Sequence, residues 1–358
     1  MQVLNNCLIY NTNMEENSVR DRFKEILDST VIRNYDSPDE NNAKIKDFCQ
    51  KVQELKPKRL FRYRNFSDYT VDALKKDLVV SSKPADFNDP FDCLIQVDPD
   101  AIINDIINPQ NRWKLQKWLD YNPKLVEIIP KKNLKKINAL LAMKDTTYSN
   151  FIQKRIPRFR LHILQAIKQA KEFLRTYPHI ACFSETPSSP PMWAHYADSH
   201  KGFVLEYEFQ DYFTPCLNCK NECVFRHYEL LYPVIYTKTR FNAKDFFSSY
   251  WSQIILMNAP VKVFIPKDDD LAIYKVLIHK SKDWEYEKEW RIISHCEAYP
   301  MIKQRPTAIY LGAKMKNANK NYLIKIARKL KIKTYIMDID ITNTEYKMTP
   351  KECKSYRV

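Results

Sequence analysis

Apolar residues recur at helical spacing over residues 17–32 and again over 43–55, with a polar stretch at 36–41 between them. This predicts two helices joined by a turn. The period then changes from 3.6 to 2. Leu60-Phe61-Arg62-Tyr63-Arg64 alternates as a strand does, with Phe61 and Tyr63 on one side and Arg62 and Arg64 on the other. Ser67 or Asp68 is placed to cap a short helix through Lys76. Residues 78–82 read as a second strand, ended by Pro84 and the polar cluster 86–90. Residues 100–178 read as helical, with amphipathic runs such as 161–174. Strands resume at 179–184, 202–208 and 231–237. A helix at 271–280 and a strand at 289–294 follow, and the chain closes as strand 308–311, helix 319–331, strand 333–339. There is no internal repeat. The expected class is α+β, with a mixed, mostly antiparallel sheet and helical insertions. The expected organisation is a helical extension at 1–57 and one domain at 58–358. That domain carries a helical insertion at about 100–178 and a Cys-rich one at about 210–230.

Glycine changes the functional picture most. The 358 residues contain two, Gly202 and Gly312. Walker A loops, GxGxxG dinucleotide turns and kinase glycine loops each need several within a few residues, so all three are excluded. A nucleotide here is gripped by side chains and ordinary backbone. The net charge is +15, unevenly spread. Residues 101–180 are net +11 and residues 301–358 net +10, leaving the remainder mildly acidic. Such regions suit a polyanion, with a solvated helix face as the plainer alternative. Arg155, Arg158 and Arg160, interleaved with Phe159, form the densest patch for nucleic acid. No run of about 18 apolar residues predicts a membrane span. No signal-peptide core marks the first 16 residues, so a cytoplasmic location is expected. Nine cysteines then read as thiols or metal ligands. Cys216, Cys219, Cys223 and His227 are spaced C-x2-C-x3-C-x3-H, a tetrahedral set for structural zinc that lacks the usual long gap between ligand pairs.

Four segments are denser in polar and aromatic residues than a core requires. They are Phe61-Arg62-Tyr63-Arg64; Ser81-Ser82-Lys83-Pro84 through Phe87-Asn88-Asp89-Pro90-Phe91-Asp92; Cys182-Phe183-Ser184 with Met192-Trp193-Ala194-His195-Tyr196 and Gly202-Phe203; and Trp284-Glu285-Tyr286-Glu287-Lys288-Glu289-Trp290-Arg291. In this order, and with Ile309–Gly312 at the end, they resemble the bacterial family catalogued as domain of unknown function 2971. The resemblance runs from about residue 60 to about 346 and implies no activity by itself. The layout is similar, more loosely, to mono-ADP-ribosyltransferases of the DarT type, which implies NAD as substrate and a catalytic Glu on a late strand.

On that analogy the roles divide as follows. Glu289 or Glu287 stabilises the positive charge that grows on the ribose as the nicotinamide bond breaks. Both Glu residues share a face with Arg291 if the segment is extended. Arg62 or Arg64 holds the pyrophosphate. Tyr63, Trp193 or Tyr196 stacks on a ring. Asn88 and Asp89 fix a ribose or the acceptor, Ser82 and Arg291 also bind the cofactor, and His195 is a base on the acceptor nucleophile. The effector would be a toxin or antiphage protein acting on nucleic acid or protein. Two other readings stay open: a nuclease with metal held by Asp89, Asp92, Glu287 and Glu289, and a non-enzymatic nucleotide or nucleic-acid binding module. A structural ion-pair network of the same Arg and Glu residues is the plain alternative to catalysis.

Overall fold

The structure is a computed structural model, and it describes residues 11–33, 36–121, 123–209, 231–247, 271–294, 301–339, 342 and 344–353. The proposed zinc ligands Cys216, Cys219, Cys223 and His227 lie outside the described residues. The chain divides into two compact units. One takes the described residues of 1–51, 89–176 and 237–279; the other takes those of 52–88, 177–236 and 280–358. The boundaries differ from an extension-plus-domain plan, because the first helices and the basic insertion are grouped with 237–279.

The first unit is helical. Helix α1 is Asn11–Ser29 and α2 is Pro38–Glu54, whose last turn crosses into the second unit. The polar stretch at 36–41 proves to be a cap more than a turn. Ser37 and Glu40 exchange side-chain and backbone hydrogen bonds at 3.2 Å, and Pro38 fits the first helical position. In the second unit a strand at Arg59–Arg64 is followed by α3 (Asp68–Lys75), where Ser67 and Thr70 form the same reciprocal cap. The basic insertion in the first unit folds as α4 (Pro99–Ile107), α5 (Arg112–Tyr121), α6 (Pro123–Ile128), α7 (Lys131–Leu141), α8 (Asp145–Gln153) and α9 (Ile156–Thr176). On α9, Phe159, Ile163, Ala166, Ala170 and Leu174 are buried at spacings of three and four, the apolar stripe legible in the sequence. No helix among the described residues is long and apolar enough to cross a membrane.

The strands are β1 (Arg59–Arg64), β2 (Leu78–Val80), β3 (His179–Ser184), β4 (Phe203–Glu208), β5 (Leu231–Pro233), β6 (Ile235–Thr237), β7 (His279–Ser281), β8 (Glu289–Ser294), β9 (Met301–Lys303), β10 (Ala308–Leu311), β11 (Lys333–Asp338) and β12 (Thr349–Glu352). Eight of them form one sheet in the order β12-β11-β10-β4-β1-β3-β8-β5. Within this sheet β10 and β11 run parallel, joined by helix Asn317–Leu330, and the other pairs are antiparallel. The fold is therefore α+β with a mixed, mostly antiparallel sheet.

Register assigns the faces. Phe61 lies opposite Ser184, and Ser184 opposite Glu289. Partners across a ladder point the same way, so Phe61, Tyr63, Ser184, Glu289 and Arg291 share one face. Arg62, Arg64, Phe183 and Trp290 point to the other. The first face carries a buried cluster of Phe61, Tyr63, Trp193, Val204 and Tyr310.

The two glycines meet at one place. The Gly312 N–H donates to the Gly202 carbonyl at 2.9 Å, and the Gly202 N–H to the Ala197 carbonyl at 2.8 Å. A Cβ on Gly202 would lie 2.1 Å from the Arg64 carbonyl oxygen, and one on Gly312 would lie 2.2 Å from that of His200. Backbone packs on backbone here, which is what glycine uniquely allows.

Candidate active site

Helix α10 (Pro190–Tyr196) and the segment 280–291 bring the carboxylates to the first face of the sheet. Glu287 and Glu289 share a face with Arg291 only if 287–291 is extended, and in the structure the extended part starts at Glu289, as the sequence reading places it. Residues Lys282–Glu287 form a 3-10 turn, Lys288 is left-handed at φ 45°, and the strand begins at Glu289. The kink, not strand alternation, turns both carboxylates toward one cation.

That cation is Lys280. Its Nζ donates to Glu287 Oε2 at 2.5 Å and to Glu289 Oε2 at 3.1 Å. Arg291 grips Glu289 with both arms of its fork, Nε to Oε1 at 2.8 Å and Nη2 to Oε2 at 3.0 Å. Arg291 is fully buried, and Glu287 and Glu289 are 2% and 4% exposed. Among the described residues two carboxylates thus face two cations, which is the pairing that buried charges need. Ser184 Oγ donates to the Glu287 carbonyl at 2.6 Å, and the Glu289 N–H donates to Tyr236 Oη at 2.8 Å. Sequence reasoning missed Lys280, because a lysine between a helix and a short strand carries no pattern of its own.

Among the described residues a hydrogen-bonded route leads from the cluster toward the surface. Tyr196 Oη donates to Glu287 Oε1 at 2.6 Å, and Asn88 Nδ2 donates to Tyr196 Oη at 3.1 Å. Asn88 is exposed, Tyr196 half-buried and Glu287 buried, so the row leads inward. His195 stands beside it, its ring 6.3 Å from those of Tyr196, Trp284 and Tyr286.

The two carboxylates are held in opposite protonation regimes. Burial, reinforced by the Glu289 charge, pushes Glu287 up to about 7 against the pull of Lys280 and the Tyr196 hydrogen bond. Burial acts on Glu289 in the same sense. Arg291 first, and then Lys280, override it and hold Glu289 well below the usual carboxylate range. Tyr196 is raised by burial and by the Glu287 charge, so it remains a proton donor. The Cys182 thiol is raised well above its ordinary value by burial and then by Glu289, which makes it a poor nucleophile.

The other expected residues fall elsewhere. Trp193 is fully buried, its Nε1 donates to the Pro187 carbonyl at 2.7 Å, and Tyr63 meets it edge-on at 5.5 Å with its own Oη bonded to the Thr186 carbonyl. Both are core residues with their polar ends satisfied. Arg62 and Arg64 lie on the opposite face from Glu289, two strands away, so they belong to no network with the carboxylates. Ser82 N and O bond to Ile180, and thus pin the segment after β2 to β3.

Asp89 and Asp92 belong to the first unit. Asp89 Oδ1 accepts from the Phe91 N–H at 2.9 Å, an Asx turn of the kind Asn-Asp-Pro sequences form. No three His, Cys, Asp or Glu side chains gather as a metal site among the described residues. In the basic insertion Arg160 is paired with Asp100, the Arg155 guanidinium lies 3.5 Å from the centre of the Phe151 ring, and Phe159 is buried. All three arginines of that patch are exposed. Glu206, missed by the sequence reading, is a buried carboxylate bonded by Tyr310 and Thr307.

No curated protein and no solved structure matches the chain. Residues 192–292 match the family model described as a protein of unknown function (DUF2971). That span holds Trp193, Tyr196, Lys280, Glu287, Glu289 and Arg291, so the part of the chain that carries the carboxylate cluster is similar to this family.

Proposed function

We propose that the chain is an enzyme that breaks the N-glycosidic bond of a nucleotide, NAD first among candidates, with Glu287 as the reacting carboxylate. The observation that carries this is the row Asn88–Tyr196–Glu287–Lys280. It places a carboxylate that titrates near neutrality at the inner end of a hydrogen-bonded path from the surface. Groups whose environments drive their pKa values apart are the usual mark of acid–base assignment. Here the titrating partner is Glu287, and Glu289 is the fixed charge that Arg291 and Lys280 hold. Of the two glutamates that the sequence offers for this role, Glu287 is thus the reacting one.

The chemistry follows from charge. As the bond from C1′ to the base nitrogen breaks, its electron pair leaves with the base and positive charge grows on the ribose. Ionised Glu287 stabilises that charge, and water or an acceptor hydroxyl then adds at C1′ and loses a proton. His195, Trp284 and Tyr286 offer aromatic faces to a planar leaving group. Arg62 and Arg64 are outside this site. A metal-dependent nuclease is less well supported, because Lys280 and Arg291 occupy the carboxylate oxygens that a divalent cation would need.

The test is mass spectrometry of NAD incubated with the full chain, alone and with bacterial extract. We expect free nicotinamide from the wild type, with a loss of about 10²–10⁴-fold in Glu287→Gln. Any modified species in the extract names the acceptor, nucleic acid or protein. Intact NAD under every condition overturns the reading.

A further inference from the structure

The second face of the same sheet carries a cavity of about 400 Å³ beneath α3 and β2. Its floor is Arg62 and Arg64 of β1, and His179, Lys83 and the ring of Tyr69 contribute to its walls. Asp86, an exposed residue, is the acidic one among those lining it.

The floor is built at a cost that the protein's own groups do not offset. Arg62 is 5% exposed. Its Nη2 donates to the Val80 carbonyl, and its flat face lies 5.6 Å from the Phe183 ring centre. Its Nε and Nη1 are buried with no hydrogen-bond partner, and so is Nδ1 of His179. Neither Arg62 nor Arg64 pairs with a carboxylate among the described residues, although they are like charges two positions apart on one strand face. Burial, and then the Arg64 charge, pull the Arg62 guanidinium down to about 9. Elsewhere the second unit covers its buried charges: Arg291 has Glu289, and Glu206 has Tyr310 and Thr307. Buried donors left open beside a cavity mark the place of a missing acceptor.

We propose that this cavity binds a phosphate-bearing small molecule of nucleotide size, with its phosphate oxygens on Arg62 and Arg64. A guanidinium fork matches paired phosphate oxygens in both shape and charge. The volume lies within the range of small-ligand pockets. Tyr69, 65% exposed, offers a ring against which a base can lie. This site is separate from the Glu287 site, since the two occupy opposite faces of the sheet, and it stands whether or not Glu287 is catalytic.

The experiment is calorimetric titration of the full chain with ADP and with inorganic pyrophosphate. We expect both to bind, more weakly as salt is raised. Tighter binding of ADP identifies a nucleotide as the ligand, and equal binding identifies the inorganic anion. Loss of one charged donor weakens binding by about tenfold or more in Arg64→Gln. Lys83→Ala weakens it less, and Glu287→Gln leaves it unchanged. Arg64 and Lys83 are only partly buried, so these variants keep the test open if Arg62→Gln fails to fold. No heat from either ligand overturns the proposal. So does wild-type affinity in Arg64→Gln, or a loss confined to Glu287→Gln.

Discussion

Lys288 decides whether the two carboxylates meet. A non-glycine residue at φ 45° is strained by its Cβ, and here the strain is held by the turn before it and the strand after it. Lys288→Gly should keep both stability and activity. Lys288→Val, with a branched Cβ in the same conformation, should cost about 1–2 kcal/mol in chemical denaturation and lower activity, because Glu287 shifts away from Lys280. Glu289 is a different case. Glu289→Gln removes the carboxylate that the fully buried Arg291 holds with both arms and should destabilise by about 3–5 kcal/mol. Glu287→Gln should cost far less, since burial already favours its neutral form. A pH–rate profile gives the sign at the same site. If ionised Glu287 acts, activity rises through about pH 7. Removing the cation in Lys280→Met should move that rise to higher pH, because the ionised form loses its partner.

At the scale of elements, most segments were legible. The alternation at 60–64 gives β1 with the predicted split of faces, Ser67 caps α3, and the apolar stripe of α9 faces inward. Ser67→Ala should cost about 1 kcal/mol. One segment differs: at 36–41 the polar residues cap a helix, whereas the strand at 289–294 starts where the sequence places it, after a 3-10 turn at 282–287. The glycines carried more information than their exclusion of nucleotide loops. Gly202 and Gly312 are where three loop backbones touch, so Gly202→Ala should cost about 2–3 kcal/mol by forcing the Arg64 carbonyl away. Thermal denaturation of the full chain reads each of these.

For the whole molecule, the sheet sorts the charges that the sequence lists side by side. Arginine and glutamate motifs that look like one site are divided between its two faces. The division should show in the pH dependence of stability. Glu287 is raised, so the folded state binds more protons than the unfolded state between the ordinary carboxylate value of 4.5 and about 7. Stability contributed by that group is full below 4.5 and lost as pH rises through 7. Glu289 is depressed and acts oppositely, contributing above 4.5 and losing its contribution as pH falls through its folded value. The fall in melting temperature between pH 5 and 7 should therefore flatten in Glu287→Gln and persist in Asn88→Ala.

By itself the sequence determined what depends on neighbours along the chain. Periodicity set the helices and strands, and with them the α+β class. The scarcity of glycine removed whole families of phosphate loop. The ordered motifs pointed to the family, and the match at 192–292 agrees. Which motifs share a site was decided by tertiary structure. Sheet order places β3 between β1 and β8, and register assigns Arg62 and Glu289 to opposite faces. Lys280 acquires its importance only when a left-handed residue folds Glu287 back onto it. Burial then makes these charges chemically distinct, and burial belongs to the packed molecule, not to any stretch of its chain.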